Sequence, residues 1–129
     1  MGDRATFVIE QGSDSTPLYI YGHYAGDGMM DTLAQALQHA KVRIDMGDPW
    51  YATRMIFGFM IQDDPLGEYG WGLSTTFLDS EHSVPVVNLS DKTVRLLPHN
   101  WDTKFDINVK PKFVMDINAF IHKFSKVLV

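Results

Sequence analysis

The chain has 129 residues, 45% of them hydrophobic and 21% charged, with a formal net charge of −5. That is enough chain for one domain with a proper core, and the acidic balance argues against a nucleic-acid partner, whose phosphates need a basic excess. There is no cysteine, which excludes disulfides, thiolate metal sites and cysteine nucleophiles together.

Asp3, Arg4 and Glu10 interrupt any apolar leader at the start. No apolar run approaches the roughly 20 residues that cross a bilayer. A soluble, cytoplasmic protein without a membrane partner is therefore expected. Lys110, Lys112, Lys123 and Lys126 lie close in sequence and read as a solvated face.

Residues 5–11 set Ala5, Phe7 and Ile9 against Thr6, Val8 and Glu10, the period-2 signature of a half-buried strand. The turn-rich loop 12–17 is short enough for a hairpin, so residues 18–24 should pair antiparallel with the first strand. Gly22, Gly26 and Gly28 then lead into a helix that Asp27 is expected to cap. Met30, Leu33, Leu37, Ala40 and Ile44 form its apolar stripe, and Met46-Gly47 ends it. Asp48-Pro49 starts a second helix. Trp50, Ala52, Met55, Ile56, Phe59 and Met60 make that helix broadly apolar, so deep packing is expected. Asp63-Asp64-Pro65 is a turn.

The second half reads as β. Residues 70–78 form a strand candidate with Trp71, Leu73, Thr75 and Phe77 on one side. Residues 84–89 and Thr93–Leu97 form a hairpin across Ser90-Asp91-Lys92. Pro85 suggests an edge strand or a bulge. A further short strand is expected at 105–109, and Asp116 should cap a last helix with Ile117, Phe120, Ile121, Phe124 and Leu128 on its buried stripe. No repeat or linker divides the chain. The expected fold over residues 1–129 is a single α+β domain, a mainly antiparallel sheet with three helices packed on one face.

The opening Met1-Gly2-Asp3-Arg4-Ala5, the block from Tyr19 to Gly26, Pro49-Trp50-Tyr51-Ala52-Thr53-Arg54 and Gly70-Trp71-Gly72-Leu73 resemble a family of small proteins of bacteriophages and actinobacterial genomes. Its members open with a short strand after a Gly-Asp-Arg or Gly-Thr-Arg start and carry an aromatic-His-aromatic-x-Gly block. The resemblance runs to about Leu97. It implies a phage or prophage setting in the host cytoplasm and carries no chemistry.

The stretch from Leu18 to Gly28 gathers rings, a histidine and an aspartate where a strand meets a helix, so the candidate ligand-binding residues are Arg4, His23, Tyr24, Asp27, Glu81 and His82. Imidazole beside carboxylates can act as base or metal ligand, and a guanidinium can hold a carboxylate or phosphate by two parallel hydrogen bonds. No metal-ligand spacing such as H-E-x-x-H occurs, the glycines lack the Lys-Ser/Thr of a phosphate loop, and no serine sits in a G-x-S-x-G elbow. No catalytic residue, metal ligand or cofactor is assigned. The leading expectation is a phage-type binding protein acting on a host protein or by self-association. The alternatives are a small metal-assisted hydrolase and a small-ligand protein, for a nucleotide for instance, built on the corner around His23.

Overall fold

Alternating side chains build the first hairpin. In the computed structural model, which describes residues 3–23, 25–68 and 70–126, β1 (Ala5–Glu10) pairs antiparallel with β2 (Leu18–Gly22), Phe7 facing Ile20 and Val8 facing Tyr19. β2 in turn pairs antiparallel with β3 (Trp71–Ser74). β4 (Val84–Asn88) runs parallel to β1, and β5 (Thr93–Leu97) and β6 (Phe113–Asp116) follow antiparallel. The result is a mixed six-stranded sheet of order β3-β2-β1-β4-β5-β6. With α1 (Met29–Asp45), α2 (Pro49–Met60) and α3 (Ile117–Phe124) it makes an α+β fold. Among the described residues no helix is long and apolar enough to cross a membrane.

The period of two decides where the core sits. Ala5, Phe7, Ile9, Ile20, Val87 and Val94 join the buried side chains of the helices, Leu33, Leu37, Ile56 and Phe120 among them, in one cluster. Side chains of the other parity, Val8, Val84, Val86 and Leu97, form a second cluster. Among the described residues no helix side chain joins that one. Phe77, Phe105, Ile107 and Val109 from the loops pack against it, together with Tyr19. Both faces of the central strands β1 and β4 are therefore dry, which is why their valines and isoleucines are fully buried.

Several elements depart from the expectations drawn from sequence. β3 stops at Ser74 instead of reaching residue 78, because the Ser74 hydroxyl accepts from the Thr76 N–H at 3.0 Å and turns the backbone out of the ladder. Phe77 consequently packs with Tyr19 and Phe105, not beside Trp71. Residues 105–109 form no strand; Asp106 closes a turn by accepting from Asn108 and Val109. The sixth strand lies just after Pro111. Pro85 sits in an interior strand, not at an edge. It precedes the Val86–Asn88 register with β1, so its missing N–H falls outside the residues paired on that side.

The helices begin where short polar side chains can hold their free N–H groups. Asp48 accepts from Tyr51 N–H and Asp116 from Ala119 N–H, as expected. Asp27 does not cap α1: it lies inside a single 3-10 turn (Gly26–Gly28), and its own N–H donates to Asp3. α2 is not deeply packed throughout. Ala52, Thr53, Ile56 and Met60 are buried, whereas Trp50 and Tyr51 sit in the first turn, ahead of that stripe, and are exposed. Leu128, expected on the α3 stripe, lies outside the described residues.

Candidate functional site

The start of β1 has no strand partner on its β4 side until Val8, and the polar loop 79–82 fills that place. Glu81 N–H donates to the Arg4 carbonyl at 2.8 Å, while the Glu81 carboxylate accepts from the Arg4 N–H at 3.1 Å. Thr6 donates its hydroxyl to the Asp79 carbonyl and its N–H to Ser80 Oγ. Ser80 Oγ in turn donates to the His82 carbonyl and accepts the His82 N–H, which fixes the loop. The Arg4 guanidinium reaches Asp79 at 3.3 Å. Its Nε–H is out of solvent with no partner among the described residues.

This docking delivers His82 to Asp3. His82 Nε2 donates to Asp3 Oδ1 at 2.5 Å, and Asp3 Oδ2 accepts the Asp27 N–H at 3.0 Å. The Asp3 carbonyl also accepts the Gly26 N–H at 2.9 Å. The hydrogen bond from His82, helped by its charge and by Asp27, holds the Asp3 carboxyl below its usual range. Gly26 is the residue that lets the pair form, since a Cβ there would overlap both His82 Nε2 and the Asp3 carboxylate.

His23 takes a different position. Its Nδ1 lies 3.2 Å from the Tyr21 hydroxyl and its N–H donates to the Gly70 carbonyl. The imidazole lines a cavity of about 410 Å³ with Gly28, Thr32 and Gln35 of the α1 amino end, Phe59 and Met60 of α2, and Trp71 of β3. A second hollow of about 270 Å³ shares Met60, Asp63, Gly70 and Trp71, so the two form one groove under the 61–70 loop. Gly22 makes room for its floor: a Cβ there would strike the Trp71 ring, which packs edge-on against Phe7 at 6.3 Å.

The structure thus brings four of the six expected residues into one network. Arg4 meets Glu81 directly, and His82 and Asp27 meet through Asp3. His23 lies along the groove, and Tyr24 falls outside the described residues. Asp3 stands beside Arg4 at the start of the first strand, where a charged pair could meet another element, and it does so here; Asp79 was not expected, since the hydrogen bond that places it spans 73 positions of sequence and leaves no local pattern. Among the described residues no group of three or more His, Asp or Glu side chains could hold a metal ion.

A third feature is an exposed corner where α1 meets α2. Val42 and Met46 stand one turn apart at the end of α1, and Trp50 and Tyr51 open α2; all four are more than half exposed, Trp50 at 73%. The turn between them is held tightly, with Asp48 N–H on the Arg43 carbonyl and the Arg43 guanidinium on Asp48 at 3.2 Å. The same guanidinium lies 5.1 Å from the Tyr51 ring centroid.

No protein-family model, curated protein or solved structure matches this chain.

Proposed function

We propose that this is a small phage-type binding protein that engages a host protein in the cytoplasm through the α1–α2 corner. In this reading the three helices form one layer on one face of a mainly antiparallel sheet, and the corner is the outer end of that layer. The observation that carries it is the exposed set Val42, Met46, Trp50 and Tyr51 within ten residues of chain. A tryptophan left 73% exposed in the first turn of a capped helix contributes nothing to the core, yet Trp, Tyr and Arg are the side chains that anchor protein interfaces. Arg43 on the Tyr51 ring and the exposed Arg54 place cationic groups around these apolar side chains on a chain of net charge −5. The matching surface is an apolar patch rimmed by carboxylates.

The test compares two baits in the same host lysate, the native protein and the Trp50→Ser/Tyr51→Ser variant, by quantitative mass spectrometry. The reading predicts a partner enriched on the native protein and lost on the variant, with the circular dichroism of the two baits alike. A partner retained equally by both contradicts it. Sedimentation of the purified protein separates self-association from a host partner: a dimer abolished by the same substitutions makes the partner a second copy.

A further inference from the structure

The groove beneath the 61–70 loop is separate from the corner just described, and its lining is selective. We propose that it binds a small organic cation, an amine carried on an aromatic or alkyl body. Three observations on independent groups lead there.

The first is charge. The lining includes Asp63, Asp64 and the imidazole-bearing His23 and, among the described residues, no lysine or arginine. The carboxyl end of α2 opens into the same space, and the partial negative charge of a helix C-terminus favours a cation. The amino end of α1 is the opposing contribution. It carries Asp31 in its first turn, with Asp27 in the 3-10 turn just before it, and hydrogen bonds from the Lys126 N–H and the Gln35 amide hold the Asp31 carboxyl below its usual range.

The second is hydrogen-bond polarity. Gln35 Nε2 donates to the Asp31 carboxylate at 3.0 Å, and Gln62 Nε2 donates to the Phe59 carbonyl at 2.9 Å. Both partners only accept, which sets the nitrogen of each carboxamide at its partner and leaves the oxygen as an acceptor beside a second N–H. Gln35 and Gln62 line the larger hollow together with Asp63, so acceptor oxygens are among its polar groups.

The third is shape. Phe59, Met60 and Trp71 form the apolar wall, and indole is the ring that attracts ammonium groups best. At about 410 Å³ the larger hollow falls within the usual range for small-molecule sites. It suits one ring and a short amine chain.

The test is chemical-shift mapping of the ¹⁵N-labelled protein with three matched probes: phenethylamine, phenethyl alcohol and phenylacetate. Phenethylamine is expected to shift the amide signals of Gln62, Asp63, Gly70 and Trp71 with a dissociation constant of about 1 mM or below, and Asp63→Asn to weaken it about fivefold. Asp63 is exposed, so this substitution leaves the fold intact. Phenylacetate should leave those signals in place and the alcohol should bind more weakly than the amine. The proposal is overturned if phenylacetate binds as well as the amine, if Asp63→Asn binds the amine unchanged, or if no probe moves those signals up to about 10 mM.

Discussion

Single residues set the geometry where the chain's start, the 79–82 loop and the first helix meet. Gly26→Ala must push a methyl group into the Asp3–His82 pair. Gly28→Ala, two positions on, meets only Thr32 Oγ1 at 3.6 Å. Thermal melts should therefore show Gly26→Ala several degrees less stable, on the order of 5 °C, and Gly28→Ala close to native. Equal effects would contradict the role given to Gly26. The same pair titrates in a defined direction. Asp3 is depressed below 3.8 by its bond from His82, so the folded state binds the carboxylate form preferentially. That contribution is present above 3.8 and lost as pH falls through the lower folded value. His99 is the other sensor. Burial beside Phe77 and Phe105, ring centroids at 5.2 and 6.0 Å, lowers it from 6.5, partly offset by Asp79. Its neutral form is the stabilised one, so stability is full above 6.5 and declines as pH drops through the folded value. Melting temperatures of the native protein should fall between about pH 7 and pH 5, and His99→Gln should fall less over the same interval. A variant that tracks the native curve would refute this.

At the scale of elements, α2 divides into an inner and an outer face. Ile56 is fully buried and Trp50 is not. Denaturant titration should give a loss of about 2–5 kcal/mol for Ile56→Ala and a change within about 0.5 kcal/mol for Trp50→Ser. A large loss at Trp50 would mean that the ring supports the fold. This contrast also marks what could be read from sequence. Periodicity located both helices, and Asp48-Pro49 and Asp116 marked helix starts. Hydropathy alone could not say which apolar residues of α2 face outward, because the helix is apolar nearly all round and its neighbours decide. The first hairpin was legible from alternation and from its turn, and so was β4–β5. β6 was not. Four residues after a proline are too short for a periodic signal, and β5 supplies the pairing from about twenty positions away. Asp27 looked like a cap because aspartate before a helix commonly is one, but Asp3 reached its N–H from outside the local window.

The whole molecule is a sheet with unlike coverings. Helical side chains bury one set of strand residues, and loop side chains bury the other. The parallel β1–β4 pair at its centre could not be inferred locally, since it joins strands nearly eighty positions apart. That arrangement leaves the α1–α2 corner with an exposed tryptophan and no core to pack against. Trp101, in the loop that covers the second cluster, is exposed to a similar degree, 76% against 73%, and serves as an internal control. The decisive measurement is photo-crosslinking in host cells with benzoylphenylalanine placed at position 50 or at position 101. The account predicts one discrete adduct from position 50 and none of that mass from position 101. The same adduct from both positions, or from position 101 alone, or no adduct from position 50, would contradict it.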